Sequence, residues 1–381
     1  MRICIFKGQS NNSVLRILAD EMAEDSREAG FEAEVLDLQW LTDDNIHEFK
    51  NKISSFDIII CFNGIGSGII DSAGQHILNT IHATVVLWFV DDPAYYYDRI
   101  TLPLKNKVIL YPNTSHAKYI DLISPKIPHK PLLCGHPKYK NTEFTYGKKR
   151  MPIIAALSWH GIPHEFWKDM PAGHTRNIIE RSVLEIKTQT ELTVYEVFAR
   201  NFKEISGVAI EELNVNRTIS LAICSITDYF RKLDRINLVK AISSTKLPIT
   251  LVGNGWEGVC ANMTNINLVD EIKYDDLFPL YQSHEIVINM NAANGGCERA
   301  FSALASGAKV LSDYSSHLEA VTAKNPSISF YDRTSEDDII KKIQRLYYEF
   351  HETESADLFD GDDEAHLWRN RIIDICDLAI K

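Results

Sequence analysis

Four groups of residues in this sequence have the types and spacing that chemistry needs. The first is a small-residue loop, Asn294, Gly295 and Gly296, followed at once by Glu298 and Arg299. A helix that begins straight after such a loop aims unpaired backbone N–H groups and the positive end of its dipole at the loop, where an anion can sit. Arg299 is badly placed for the dipole alone and well placed once an anion is bound. The second is a glycine turn, Gly253, Asn254, Gly255 and Trp256, after the apolar run from Leu247 to Val252. Glycine there permits close backbone approach, and the indole is expected to border a flat ligand. The third is the pair Asp91 and Asp92 before Pro93. Adjacent residues of an extended chain point to opposite sides, so one of the two faces a ligand, and a carboxylate there is a candidate to take a proton. Capping the turn before Pro93 is the other reading of this pair. The fourth is His160, which follows an apolar run and either contacts a ligand or lies in a surface loop.

These groups are positioned by a repeated pattern. Around the first, Ile286 to Met290 reads as a buried strand, Glu298 to Ser306 as a short helix, Gly307 as its C-terminal cap and Lys309 onwards as a second buried strand. Residues 1 to 147 alternate apolar runs (RICIF, EAEVLDL, FDIIICF, TVVLWFV, KVILY, KPLLCG) with helices near Ser13 to Ala29 and Ala73 to His82. Near-continuous Ile, Val and Leu strands separated by helices indicate a parallel sheet covered on both faces, a Rossmann-like domain. Ligands gather at the carboxyl ends of such strands, so the post-strand loops matter: 7 to 12, 63 to 68, and 91 to 97 with its three tyrosines. The G-x-G-x-G of Gly64, Gly66 and Gly68 reads as a phosphate loop, a tight turn or an acceptor-facing loop; it is not the dinucleotide fingerprint. Residues 138 to 152 are polar and turn-rich, the best linker candidate. Beyond them come the strand IIAAL, a mostly helical stretch from Thr175 to about Ser244, and a further strand and helix alternation. Arg231 and Arg235 share one face of that helical stretch, facing either a diphosphate or solvent.

Composition narrows the classes. The chain has 381 residues, 45% hydrophobic and 24% charged, enough for two domains with sizeable cores. A net charge of −12 argues against a general nucleic-acid or anionic-membrane binder, while leaving room for one basic pocket. Seven cysteines without a C-x-x-C pair suggest reduced, buried thiols and a cytoplasmic location. No export signal is visible, and no stretch reaches the roughly 18 to 20 apolar residues of a membrane span. The D-x-D of Asp360 and Asp362 lies in an acidic run and reads as a solvated loop, so no metal site is expected.

The run R-A-F-S-A-L-A-S-G-A-K-V-L-S-D from Arg299 resembles the R-x-F-E-A-L-A-x-G-x-x-x-L-x-D stretch of glycosyltransferases related to the spore-maturation protein CgeB. The segment V-L-W-F-V-D-D-P resembles their W-x-x-D-x-P, Gly253 to Trp256 their G-x-x-W, and His366 to Arg371 the H-x-x-x-x-R of their last helix. Ser302 departs from the pattern, standing where most such enzymes carry a glutamate on the donor ribose. The resemblance implies a GT-B fold: α/β, two Rossmann-like domains facing a cleft, with a helical insertion near the boundary. Residues 1–147 would form the acceptor side, 148–365 the nucleotide-sugar-binding domain, and 366–381 a helix crossing back to the first domain. It implies metal-independent transfer of a sugar from a nucleotide-sugar donor to a glycan or protein acceptor, with no cofactor. Asp92 or Asp91 would be the base, with Arg299 and His160 also catalytic. Gly253, Asn254, Gly255, Trp256, Asn294, Gly295, Gly296, Glu298, Arg299 and Ser302 would contact the donor, and Val269 to Tyr274 would wall the base pocket. Two other readings stay open: a nucleotide-sugar-binding protein without transfer activity, and a nucleotide-sugar epimerase on the same fold.

Overall fold

The structure is a computed structural model, and it describes residues 1–9, 13–138, 150–213, 217–290, 298–323, 325–352 and 366–379. Asn294, Gly295 and Gly296, the acidic tail with Asp360 and Asp362, and residues 139–149 of the linker candidate lie outside these residues. The chain divides into two compact units: Met1–Lys138 with Glu364–Lys381, and Tyr139–Asp363.

In the first unit, β1 (Arg2–Lys7), β2 (Glu32–Asp37), β3 (Ile58–Phe62), β4 (Thr84–Trp88), β5 (Lys107–Tyr111) and β6 (His129–Pro131) form a six-stranded sheet in the order β2-β1-β3-β4-β5-β6. Every pairing is parallel. Helices α1 (Val14–Glu28), α2 (Ile46–Ile53), α3 (Tyr97–Ile100) and α4 (Ala117–Ile123) belong to this unit. Strands β3 and β5 are buried along their whole length, as burial on both faces of a parallel sheet requires. The helix expected over 73–82 is only a short 3₁₀ turn at Ile77–Thr80. The Asp71 carboxylate accepts from the N–H groups of Ala73 and Gln75, and Gly74 takes φ 75°, so a side-chain-capped turn displaces the helix.

The second unit contains β7 (Met151–Ala156), α5 (His174–Ile186), α6 (Val194–Ser206), α7 (Arg217–Ser244), β8 (Ile249–Val252), α8 (Glu257–Cys260), β9 (Ile266–Val269), α9 (Leu277–Gln282), β10 (His284–Asn289), α10 (Glu298–Ala305), β11 (Lys309–Asp313), α11 (Ser316–Thr322), β12 (Ile328–Tyr331) and α12 (Glu336–Glu352). Its six strands are again parallel, in the order β12-β11-β10-β7-β8-β9. Alternate residues feed two cores. Ile153, Ala155, Ile286, Ile288 and Leu311 pack with Leu238 and Ile242 of α7 and Ile339 and Ile343 of α12. Ile154, Val287 and Val310 pack with Tyr281 of α9 and Ala303 and Leu304 of α10. The chain starts at β7, fills one side of the sheet, then returns to fill the other from β10. The strand order therefore reverses between β7 and β10, and a crevice at the carboxyl ends of these two strands is where such folds bind ligands.

The last helix, α13 (Trp368–Ala379), is part of the first unit and packs on α1. Trp368 is fully buried edge-on to Trp88 and donates from Nε1 to Glu21. The two stretches of chain that join the units run side by side here: His136 N–H donates to His366 O, and Trp368 N–H to His136 O.

Candidate functional site

Arg299 sits in the first turn of α10 and spans the reversal point of the second sheet. Its Nη1 donates to Ala156 O at the end of β7 (2.7 Å), and its Nη2 to Met290 O just beyond β10 (3.2 Å). Two carbonyls from neighbouring strands thus hold a guanidinium at the carboxyl edge, where a planar fork with five donors suits an anion. Glu298 opens the same helix, as a carboxylate in a first turn should. Ser302 is buried at 4% exposure among the inward residues of α10, so the position expected to grip a ribose is turned into the fold.

More positive charge gathers at the end of β7. The imidazole of His160, half-buried in the loop after that strand, is pushed down to about 3 by burial and by Arg235, Arg231 and Lys232. Both arginines come from α7, where Arg235 is buried and donates from Nη1 to Arg231 O (3.2 Å). Arg235 is therefore not part of a solvated basic face. A buried ion pair holds α7 in place: Arg333, just after β12, meets both oxygens of Asp234 at 3.1 and 3.2 Å and donates to Ile186 O at the end of α5 (2.8 Å). Burial nevertheless raises the Asp234 carboxyl to about 6, partly offset by Arg333.

The turn at 253–256 has another task from the one expected. Trp256 has no exposed surface, lies in the core and donates from Nε1 to Leu157 O (2.5 Å). Gly253, at φ 137°, lies where a Cβ would come within 2.5 Å of Leu157 O, and a Cβ on Gly255 would meet Trp159 at 3.0 Å. Asn254 accepts from Trp159 N–H through its carbonyl and is bonded to Glu271 through its side chain (2.8 Å). Trp256 thus corrects the expectation of an indole bordering a ligand, while Asn254 and Gly255 keep exposed surface. The close backbone approach here is to the 157–159 segment, so the turn positions the loop that carries His160.

At the carboxyl edge of the first unit the two adjacent aspartates separate. Asp92 is buried, and its carboxylate accepts the Ala94 N–H at 2.8 Å, capping the short turn Pro93–Tyr96. Its partner, missed in the sequence, is His116, also buried, with Nε2 3.7 Å away and with neither ring nitrogen hydrogen-bonded among the described residues. Burial pushes Asp92 up and His116 down, the attraction between them opposing both shifts. Its only sequence signal was its place in a polar segment, Asn113 to His116, just after a strand. Asp91 is half-buried instead. Its Oδ2 accepts from Asn63 Nδ2 (2.9 Å) and from the Tyr96 hydroxyl (2.9 Å), and among the described residues nothing donates to Oδ1. Of the tyrosine triplet, Tyr96 is thus tied to Asp91. The G-x-G-x-G loop proves to be a tight turn: Gly64 and Gly66 take φ 67° and 81°, and a Cβ on Gly66 would strike Phe6 and Leu38 at 2.6 Å.

Residues 231–377 match a family described as glycosyl transferase-like, a match that begins at Arg231 and takes in Arg299. Curated protein sequences give no match. Among solved structures, the sucrose-phosphate synthase of Thermosynechococcus elongatus is similar over 99% of this chain and 98% of its own (TM-score 0.56, 10% identity). Anabaena HepE, solved with UDP and glucose, is similar over 99% of both chains (TM-score 0.55, 8% identity). AviGT4, a glycosyltransferase of avilamycin A biosynthesis, covers 100% of this chain and 97% of its own (TM-score 0.54, 10% identity). At these identities the structural likeness speaks to the fold. Residues 231–377 thus carry a glycosyl transferase-like match, and the two six-stranded parallel sheets give the chain the GT-B fold.

Proposed function

We propose that the protein transfers a sugar from a nucleotide-sugar donor held by the second unit, with Arg299 on the leaving diphosphate and Asp91 as the group that takes the acceptor proton. The observation that carries this reading is the convergence of Arg299, Arg231, Arg235 and His160 on the carboxyl ends of β7 and β10. Negative charge grows on the phosphate as the glycosidic bond breaks, and fixed cations and N–H dipoles there stabilise that change without a metal. A single such donor is worth about 3 to 4 kcal/mol. The UDP and glucose bound by HepE support a nucleotide-sugar donor here.

Asp91 is preferred over Asp92 because Asp92 is enclosed and committed to its cap. The proposed resemblance to the CgeB-like enzymes points the same way, since the aspartate of their W-x-x-D-x-P falls on Asp91. A glycan or protein is the proposed acceptor.

The test is a thermal-shift series against UDP, GDP, ADP, TDP and CMP. A ligand at a hundred times its dissociation constant adds about 2.7 kcal/mol of stability. One nucleotide should raise the melting temperature of the wild type, and Arg299→Ala should lose that shift and at least a hundredfold of turnover. A folded Arg299→Ala protein with normal shift and turnover removes the reading. The buried Ser302 favours a second one, donor binding without transfer, which predicts the same shift but no release of free sugar over hours.

A further inference from the structure

The first unit's sheet ends in a backbone irregularity that the fold alone does not require. Asn63, the first residue beyond β3, is buried at 3% exposure and has φ 49°, in the left-handed region. Glycine is the residue that ordinarily fills such a position, and Gly64, at φ 67°, follows directly. Asparagine tolerates the conformation better than other side chains, yet it is retained at a cost and needs a reason.

The reason is visible in its hydrogen bonds. Asn63 N–H donates to Trp88 O (2.7 Å), and its carbonyl accepts from Arg99 Nη1 (2.6 Å). Its side-chain Oδ1 accepts from Val90 N–H (2.9 Å), and its Nδ2 donates to Asp91 Oδ2 (2.9 Å). One side chain thus grips the backbone before Asp91 and the carboxylate of Asp91 itself. Tyr96 closes the frame from the other side, its hydroxyl on the same Oδ2 and its ring under the Arg99 guanidinium at 5.5 Å. Two donors on one oxygen fix the rotation of the carboxylate and leave Oδ1 as the oxygen that can meet a hydroxyl.

We infer that Asn63 and Tyr96 are positioning residues for Asp91, the left-handed turn at Asn63 being kept because it aims one carboxylate oxygen at the acceptor hydroxyl. This rests on the assignment of Asp91 above. A glycine at 63 would satisfy the backbone and lose both side-chain bonds, so the choice of asparagine is explained by orientation and not by the turn.

The test uses the full chain with Asn63→Gly, which keeps the backbone conformation, and Tyr96→Phe, which removes one hydroxyl and is the second route if the first variant does not fold. Crystal structures of the variants should show the Asp91 carboxylate rotated or split between two rotamers. An Asp91 unmoved in both overturns the inference, whatever the activity. Turnover is then measured with the sugar conjugate of whichever nucleotide gives the largest thermal shift, water serving as acceptor. Turnover should fall about tenfold to a hundredfold while the donor KM stays within about twofold, as loss of alignment predicts. A rise in donor KM alone would instead place these residues in donor binding and overturn the role given to them. Should Asp91→Asn retain full turnover, Asp91 is not the base, and the crystal comparison still decides whether Asn63 and Tyr96 orient it.

Discussion

At the scale of single residues, the charge state of His160 separates a general acid from a neutral hydrogen-bonding group. With its imidazole held down to about 3 by burial and by Arg235 and Arg231, it stays neutral across any working pH. It therefore does not donate a proton as an imidazolium in the free protein. The unfolded imidazole takes up a proton near pH 6.5, the folded one only near 3, so the contribution of His160 to stability is present above about 6.5 and lost as pH falls. Between pH 7 and pH 4 this amounts to about 1 to 3 kcal/mol, discounted for partial exposure. His160→Gln should accordingly lose less stability than the wild type over that interval, measured by denaturant unfolding at each pH. A bound diphosphate offsets the arginine charges and should raise the His160 titration in an NMR experiment. In the sequence alone this position reads more readily as a surface histidine, because the arginines that decide its state come from a helix some seventy residues later.

At the scale of elements, buried polar groups show what fixes each piece to its sheet. Arg333 and Asp234 pin α7 and the end of α5 to β12, which places Arg231 and Arg235 at the carboxyl edge. In the first unit, Asp25 of α1 lies inward at the point where the chain leaves for the second unit. Burial and Glu28 raise it to about 6, against a hydrogen bond from Lys138 N–H and the charge of His136. A carboxyl whose folded value is raised contributes stability that is full below about 4 and lost as pH rises through 6. Asp25→Asn keeps an acceptor for Lys138 and removes the buried charge. Relative to the wild type it should gain up to about 3 kcal/mol between pH 3.5 and pH 7, whatever its constant offset, and pH-dependent melting would show this. An equal pH dependence in both proteins would mean Asp25 is not held in its neutral form.

For the whole molecule, the GT-B fold follows from two sheets with different strand orders, each reversing at its own point. The described cysteines are free thiols, buried except for Cys224, and no described helix is long and apolar enough to cross a membrane. The C-terminal helix completes the first unit, with Trp368, Ile372 and Ile375 buried in it. A chain ending at residue 363 should therefore lose the cooperative unfolding of the first unit while the second unit stays folded. Hydrogen exchange would resolve this: protection along β1, β3 and β4 disappears and that along β7 and β10 remains. A truncated chain with both sheets protected would contradict it.

Local pattern was enough to read β1 to β5 and β7 to β11, the parallel architecture, the helix at Glu298 with its capping Gly307 and the strand after it. Each depends on runs of a few residues whose burial and periodicity are written in the chain itself. The pairing of Arg299 with carbonyls 9 and 143 residues away in the chain, the transfer of Trp256 from a ligand wall to the core, the burial of Ser302 and the separation of Asp91 from Asp92 were decided elsewhere. Those outcomes turn on which backbone lies within 3 Å of a given side chain. Only the assembled sheet, with α7 packed on its face and the post-strand loops along its carboxyl edge, sets such distances.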